Sequence, residues 1–308
     1  MPSLSCKRMG TGAPLVLVHG YLGGSAMWTG QIARFSPSRD VICPDLAGFG
    51  DSAALTAPDS IGAHAHDVLA LLDRMSVREF DLLGHSMGGM VAQEMVRLAP
   101  GRIRKLVLYG TGPQGAMPGR FETIAQSRSG LLRDGIAATA RRIAATWFLH
   151  GEQAAAFGLC HALGLQVSLQ TALSSLLAWQ GWDGRAALKA IQSPMLVIWG
   201  SHDRSYDWSQ PETLWRSIPG GVSGSRSASR AQCSSGKTAY LRCAAGRFPK
   251  GIAGCLRVPL PAMGTYPSWL SRQRHPVSRP KTTSIRLQLA VGSGVDGFDC
   301  ARIGLSCF

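Results

Sequence analysis

The pentapeptide Gly84-His85-Ser86-Met87-Gly88 constrains this chain more than any other feature of its sequence. It follows a short apolar run, residues 80–84, that is typical of a buried strand, and it precedes a helical pattern over residues 87–98. A serine in so tight a strand-to-helix turn needs small neighbours, and the turn exposes its hydroxyl. The first N–H groups of the helix point to where an oxyanion would form. The pattern therefore predicts Ser86 as a nucleophile and the Met87 amide as an oxyanion donor.

A second glycine-rich loop, His19-Gly20-Tyr21-Leu22-Gly23-Gly24, directly follows the strand pattern of residues 14–19. A loop at the carboxyl end of a strand can offer a second N–H to the same oxyanion, and Tyr21 is the predicted donor. The alternative is an ordinary strand-to-helix connection. Residues 45–52 follow the next strand and are interpreted as structural support for the rim of the site.

Strand patterns alternate with helical ones, which predicts an α/β fold with a mostly parallel sheet flanked by helices. The five predicted strands are residues 14–19, 40–45, 80–84, 103–109 and 195–200. About 80 residues after Thr111 contain helical periodicity and no strand pattern. We therefore divide the chain into a core in two parts (1–110 and 192–220), a helical insertion (111–191) predicted to act as a lid, and a tail (221–308).

Three segments in this order, HGYLGG, PDLAGFGDS and GHSMGGMVAQE, resemble the α/β-hydrolase superfamily. The resemblance covers residues 14–220 and is strongest to the branch of meta-cleavage C–C hydrolases, enol-lactonases, small esterases and cofactor-free haloperoxidases. It implies a catalytic triad in the order nucleophile, acid, histidine. The acid would follow the strand after the lid in a Gly-x-x-Asp arrangement. Gly200-Ser-His-Asp203 matches, so the resemblance implies Asp203, with Asp207 as a second candidate.

The triad histidine is where this sequence departs from the family. It would lie roughly 25–30 residues beyond Asp203, yet no histidine occurs between His202 and His275. His275 lies in a basic segment without a preceding strand pattern, so we assign no triad histidine. The remaining histidines are interpreted as structural or surface residues. His64 and His66, two positions apart on a helix, are expected at its surface.

The tail differs from the rest of the chain in composition. Residues 1–220 carry 19 Lys and Arg against 16 Asp and Glu, whereas residues 221–308 carry 13 against 2, so most of the net charge of +14 lies in the tail. The tail has no apolar period, which predicts little order and a missing C-terminal strand and helix. A basic nucleic-acid arm is the alternative, but aromatic residues do not alternate with the charges.

A shifted reading frame would explain both the tail and the absent histidine. One allowed codon series for residues 231–242, read one nucleotide later, gives His-Ser-Val-His-Leu-Glu-Lys-Pro-Pro-Ile-Phe. That segment resembles the histidine segment of the family and lies where it belongs. The tail would then be an out-of-frame translation.

These patterns predict a hydrolase that acts on a small ester, a lactone or the C–C bond of a vinylogous diketone through an acyl-serine. The alternative is an inactive hydrolase-like protein that at most retains a ligand-binding pocket. We expect no cofactor, metal, nucleic-acid or membrane partner, and a cytoplasmic location, because no signal-peptide, membrane-span or zinc-site pattern occurs. Arginines of the insertion (Arg120, Arg128, Arg141) would suit a carboxylate-bearing substrate, although exposed helical arginines are usually solvated.

The frame hypothesis predicts that a single-nucleotide correction near codons 218–230 shortens the protein, lowers its pI from about 10.0 and restores hydrolase activity. Sequencing the gene checks the frame, and an ester assay on the corrected protein checks the activity. A stop codon in the +1 frame just after Ala231 would contradict the hypothesis. So would a protease-resistant domain formed by residues 221–308.

Overall fold

The computed structural model describes most of the region that carries the motifs. The described residues are 3–116, 119–200 and 202–217, together with the backbone of four short strands at 230–232, 238–244, 255–257 and 286–288. All statements about side chains below concern the first three ranges.

A single sheet forms the centre of the described region. Its first six strands are β1 (Cys6–Met9), β2 (Ala13–Val18), β3 (Arg39–Pro44), β4 (Phe80–His85), β5 (Ile103–Tyr109) and β6 (Met195–Gly200). They lie in the order β1-β3-β2-β4-β5-β6, with β2 to β6 parallel and β1 antiparallel to β3. The five predicted strands are confirmed, and the predicted mostly parallel sheet is confirmed with them.

Alternate residues of the strands pack on opposite faces of this sheet, as the two-residue period of a strand requires. In β2, Val16 and Val18 join the larger apolar cluster, whereas Leu17 joins the smaller one on the other side. The α-helices of the described ranges are α1 (Thr29–Phe35), α2 (Ile61–Arg74), α3 (Met87–Leu98), α4 (Ile124–Thr146), α5 (Phe157–Leu165), α6 (Leu169–Gln180), α7 (Arg185–Leu188) and α8 (Ser209–Arg216). Helices α2 and α3 contribute to the larger cluster and α1 to the smaller one, so helices pack on both faces of the sheet.

The insertion is helical, as predicted, and its two ends are joined. A bridge between Gln114 and Asp183 closes its base, with Gly115 N donating to Trp182 O at 2.9 Å. Its first helix, α4, begins at Ile124, where Thr123 and Gln126 form a capping box. None of the helices in the described ranges is long and apolar enough to cross a membrane.

Beyond α8 the structure gives backbone strands only. Strand β8 (Thr238–Ala244) pairs antiparallel with β6, and β7 (Arg230–Gln232) pairs with β8. The sequence patterns predict no strand at either place. Strands β9 (Cys255–Arg257) and β10 (Arg286–Gln288) pair with each other. The rest of residues 218–308 lies outside the described residues, and so do the expected lack of order and the expected missing C-terminal helix.

His64 corrects one sequence interpretation. It was expected at the surface, yet its side chain is fully buried on α2, whereas His66 is exposed. Neither ring nitrogen of His64 has a hydrogen-bond partner among the described residues, and burial lowers its pKa to about 4. The helix rotates by about 100° per residue, so positions 64 and 66 face in different directions. The apolar period puts position 64 beside Val68 and Leu71 on the inner face.

Helix α3 approaches β2 so closely that only glycine fits at its second position. A Cβ on Gly88 would lie 2.4 Å from Val18 O and 2.5 Å from His19 O. Both contacts are with backbone, which cannot move aside cheaply. Gly88 therefore sets the distance between the serine turn and the 19–24 loop.

We expect Gly88→Ala to lower the free energy of unfolding by about 1–3 kcal/mol through overpacking. Gly62→Ala is a matched control, since its Cβ would meet nothing nearer than 3.6 Å in helix α2. The control should raise stability by about 0.5–1 kcal/mol. Urea denaturation measures both, and equal effects would contradict the close approach.

Candidate active site

Ser86 lies where β4 ends and α3 begins, as the pentapeptide predicts. Its backbone has φ 53° and ψ −119°, a left-handed conformation that a residue with a side chain rarely adopts. Four hydrogen bonds hold its backbone: Ser86 N donates to Tyr109 O (3.0 Å), and Ser86 O accepts from Gly89 N (2.8 Å), Thr111 Oγ1 (2.8 Å) and Met90 N (3.3 Å). Strained backbone held in this way is typical of functional sites.

The packing around this turn leaves no room for a side chain at Gly84 and little at Gly20. A Cβ on Gly84 would lie 2.2 Å from Gly88 O, and a Cβ on Gly20 would lie 3.0 Å from Ser86 Cβ. The second distance shows that the 19–24 loop passes directly beside the serine. The sequence therefore anticipates correctly that small residues flank Ser86.

The two predicted oxyanion donors are backbone amides, one directly after Ser86 and one in the loop that passes beside it. Met87 is the first residue of α3, and Tyr21 follows Gly20 in the adjoining loop. Within the described ranges, neither the Met87 amide nor the Tyr21 amide donates a hydrogen bond. The first N–H groups of a helix have no intrahelical acceptor, and the helix dipole favours negative charge there. Both amides are therefore available to donate to an oxyanion formed at Ser86.

His19 and Asp45 brace the loops that border the site. His19 Nδ1 contacts Gly20 O at 2.8 Å, and Leu46 N donates to His19 Nε2 at 3.0 Å, so both ring nitrogens are occupied. Nε2 accepts a backbone N–H, and burial lowers the pKa of His19. Asp45 accepts from Ser25 N (2.6 Å) and Ser25 Oγ (2.9 Å). These contacts agree with a structural role for both residues.

Asp203 lies on the loop after β6, at the same edge of the sheet as Ser86. Its Oδ1 accepts hydrogen bonds from Ser205 N (2.8 Å) and Tyr206 N (2.9 Å). Its Oδ2 faces Gly110, where it is 3.6 Å from the position that a Cβ would take. Burial raises the pKa of this carboxyl group, and the two backbone N–H donors oppose that rise.

Asp207 has a different environment, and the structure separates it from Asp203. Its Oδ1 accepts from Ser209 N (3.0 Å) and Ser209 Oγ (2.5 Å) at the start of α8. These are the contacts of a residue that stabilises a helix start. Asp203, by contrast, keeps one carboxylate oxygen directed toward Gly110.

Tyr206 is the site residue that the sequence patterns miss. Its hydroxyl lies 3.3 Å from Ser86 Oγ, and its backbone N–H is bonded to Asp203, so this one residue spans the distance between them. The side chain is fully buried, and burial raises the pKa of the phenol to about 12. It is therefore neutral near pH 7 and cannot act as the base for Ser86. A tyrosine three residues after an aspartate belongs to no motif that would single it out.

No histidine of the described ranges contacts Ser86 Oγ. The ring of His85 packs on Tyr109 with the ring centroids 5.0 Å apart, and burial lowers its pKa to about 4. His202 is exposed, and so is His150 of the insertion. His275 lies outside the described residues. That this chain has no triad histidine therefore stays a prediction.

The three candidate arginines of the insertion differ in their environments. Arg141 is exposed and paired with Glu152 at 2.5 Å, and Arg128 is exposed on α4. Only 6% of the Arg120 side chain is exposed, and its Nη1 donates to Glu122 O (2.6 Å) and Ser127 Oγ (2.8 Å). The nearest carboxylate oxygen, Glu122 Oε1, is 4.0 Å away and accepts from Ser127 instead. Arg120 is thus a buried cation whose nearest carboxylate among the described residues, Glu122, is 4.0 Å away and also pairs with Arg142.

Aromatic contacts connect Arg120 to the 19–24 loop. Its guanidinium lies 5.7 Å from the ring of Trp179, which packs on Tyr21 with centroids 5.0 Å apart. The neighbouring Phe121 N donates to Arg204 O at 2.9 Å, two residues before Tyr206. The start of the insertion is therefore bonded to the loop that carries Asp203.

A separate open cavity of about 730 Å³ lies at the surface of the insertion, away from Ser86. Arg141, Arg142 and Arg204 line it, together with Glu122 and Glu152. Four of these five charges form the ion pairs Arg141–Glu152 and Arg142–Glu122. The cavity contains neither Ser86 nor Asp203, so it is not the candidate active site.

Comparison with known proteins agrees with this arrangement. Residues 13–221 match the family model described as alpha/beta hydrolase fold. The chain is 30% identical over 214 residues to the protein called "Putative carbamate hydrolase RutD" of Pseudomonas savastanoi pv. phaseolicola, covering 67% of this chain and 82% of that protein.

Two solved structures are similar as well. One is the enol-lactonase from Burkholderia xenovorans LB400, with a TM-score of 0.64, 24% identity, and coverage of 70% of this chain and 85% of that one. The other is a thermophilic esterase from Thermogutta terrifontis, with a TM-score of 0.61, 27% identity, and coverage of 70% and 81%. The first supports the fold alone.

Proposed function

The chain belongs to the α/β-hydrolase family, and we propose that it is a serine hydrolase that cleaves a small ester, a lactone or the C–C bond of a vinylogous diketone through an acyl-serine. The observation that carries the proposal is the strained Ser86, held at the start of α3 beside two unused amides. Hydrolase relatives with ester, lactone and carbamate names support the class of reaction.

In the proposed reaction, Ser86 Oγ attacks the substrate carbonyl while its proton passes to a base. The amides of Tyr21 and Met87 stabilise the oxyanion of the tetrahedral intermediate. Collapse of the intermediate expels the leaving group, which takes the proton from the protonated base and leaves an acyl-serine. Water, deprotonated by the same base, then releases the acid and restores Ser86. Asp203 would hold the imidazole base in the correct tautomer.

The base is the component that decides between activity and inactivity. His19 has both ring nitrogens occupied, and His85 packs on Tyr109 and makes no hydrogen bond to Ser86 Oγ, so neither suits the role. A working enzyme would draw its histidine from outside the described residues. The alternative, an inactive hydrolase-like protein that at most retains a ligand-binding pocket, holds if no base reaches Ser86, since the neutral phenol of Tyr206 that contacts Ser86 Oγ cannot take its proton.

The proposal is tested with a short-chain aryl ester and the variants Ser86→Ala, Asp203→Asn and Asp207→Asn. We expect Ser86→Ala to abolish turnover and Asp203→Asn to lower kcat by about 10⁴-fold, because the imidazole loses its orienting carboxylate. Asp207→Asn is the matched control and should stay within a few-fold of the parent, since Asp207 stabilises a helix start.

Turnover that survives Ser86→Ala would contradict the assignment of the nucleophile. A parent protein that binds the ester product saturably, but neither turns over the ester nor reacts with a fluorophosphonate, would establish the ligand-binding alternative. Mass spectrometry of the intact protein after fluorophosphonate treatment separates the two results, because only an activated serine is modified.

We also infer that Arg120 selects substrates that carry a carboxylate. A buried guanidinium is costly when its nearest carboxylate lies 4.0 Å away and is shared with Arg142, and a substrate anion would supply a closer counter-charge. Arg120→Met should lower the preference for a carboxylated ester over its neutral analogue by about 10- to 100-fold in kcat/KM. Arg141→Met, at an exposed ion pair, should leave the preference unchanged. Equal losses in both variants would contradict the inference, and the ratio is independent of the fraction of folded enzyme.

A further inference from the structure

Tyr206 brings a proton donor to the nucleophile from the loop that carries the candidate acid. Its hydroxyl lies 3.3 Å from Ser86 Oγ, and the residue is 1% exposed. Among the described residues, Tyr206 is the hydrogen-bond partner of Ser86 Oγ. The amides of Tyr21 and Met87 would bind the carbonyl oxygen of the substrate, whereas this phenol contacts the attacking oxygen itself.

Two backbone hydrogen bonds hold Tyr206 in this place. Its N–H donates to Asp203 Oδ1 at 2.9 Å, and its carbonyl accepts from Trp199 Nε1 at 2.7 Å. The residue is therefore attached to the acid on one side and to strand β6 on the other. A donor fixed in this way needs no reorganisation when charge develops beside it, which is the condition for electrostatic stabilisation of a reacting atom.

The direction of the hydrogen bond between Tyr206 and Ser86 follows from the protons available. Ser86 has one hydroxyl proton, and the proposed reaction sends it to the base. The contact can then persist only if the phenol donates and Ser86 Oγ accepts. Burial raises the pKa of Tyr206 to about 12, so the phenol keeps the proton that this donation requires near pH 7.

The length of this hydrogen bond distinguishes a catalytic donor from a structural one. At 3.3 Å it is longer than the usual O–H···O distance of about 2.7–2.8 Å, so it stabilises neutral Ser86 little. Negative charge on Oγ would strengthen it, because hydrogen bonds to an ionised acceptor are about twice as strong as neutral ones. A contact that is weak in the ground state and strong when charge develops lowers the barrier rather than merely tightening binding.

We propose that Tyr206 is a further catalytic residue, a hydrogen-bond donor that stabilises negative charge on Ser86 Oγ. The role rests on the proposed serine-hydrolase function. During attack, the serine proton passes to the base while the bond from Oγ to the carbonyl carbon forms. During hydrolysis of the acyl-serine, that bond breaks, its electron pair returns to Oγ, and the protonated base restores the proton. Tyr206 keeps its own proton in both steps.

The variant Ser86→Cys tests the donor without any triad base, because pH alone ionises a thiol. A donor that favours the thiolate lowers the thiol pKa. Adding Tyr206→Phe should therefore raise this pKa by about one unit, a tenfold loss in the equilibrium that forms the anion. The pH dependence of iodoacetamide alkylation measures the pKa, and peptide mapping by mass spectrometry distinguishes the introduced thiol from the native cysteines.

Thr213→Val is the matched control, added to Ser86→Cys in the same way. It removes a hydroxyl of α8 that donates to Ser209 O at 2.7 Å and does not contact Ser86. The thiol pKa should stay unchanged in this variant. Near-ultraviolet circular dichroism must agree among all the variants, since unfolding would by itself return the thiol to its ordinary pKa.

On the native serine, Tyr206→Phe should lower kcat for a short-chain aryl ester by about 10- to 100-fold, the loss expected for one hydrogen bond to a charged group. The acyl-serine, detected by mass spectrometry of the intact protein, should persist longer by a similar factor. Thr213→Val should keep both quantities within a few-fold of the parent.

The two experiments fail in different ways. A thiol pKa that Tyr206→Phe does not move, or that Thr213→Val moves equally, overturns the donor role whether or not the parent hydrolyses esters. Such a result would mean that Ser86 only satisfies a buried phenol. A thiol pKa that rises in a protein without ester turnover supports the donor and contradicts the proposed hydrolase function instead.

Discussion

The close packing of the chain around Ser86 is the constraint on which the rest of the site depends. Strand β4, helix α3 and the 19–24 loop meet there with backbone atoms at distances that exclude a Cβ on Gly84 or Gly88. Because interiors are packed as densely as organic crystals, contacts of this kind leave the elements one relative position. The positive φ of Ser86, the free amides of Tyr21 and Met87 and the direction of the hydroxyl all follow from that position.

Much of this could be read from the sequence because it depends on local rules. Buried parallel strands are continuous apolar runs, so β2 to β6 were predictable, and a glycine-flanked serine between a strand and a helix predicts the turn at Ser86. Strand β1 could not be found in this way. It is an edge strand of four residues, Cys6–Met9, whose side chains are mostly exposed and show no apolar pattern.

The features that the patterns miss depend on which elements meet in space. Tyr206 reaches Ser86 only because the loop after β6 lies at the same sheet edge as the end of β4, and no spacing in the sequence records that. His64 is buried because α2 packs against α3 and the sheet, and a lone polar residue on an apolar helix face gives no warning of this. The same reasoning separates Arg120 from Arg141, which composition alone treats as equivalent.

The two halves of the candidate site are held by residues that precede the tail, and Tyr206 contacts both of them. Hydrogen bonds join the backbone of Ser86 to Gly89, Tyr109 and Thr111. Asp203 is held by the backbone of the next three residues. Each of these bonds joins residues before 218, so the described core holds both Ser86 and Asp203 in place. In the proposed reaction this core preorganises the nucleophile, the acid and the oxyanion donors, and only the base would have to come from elsewhere.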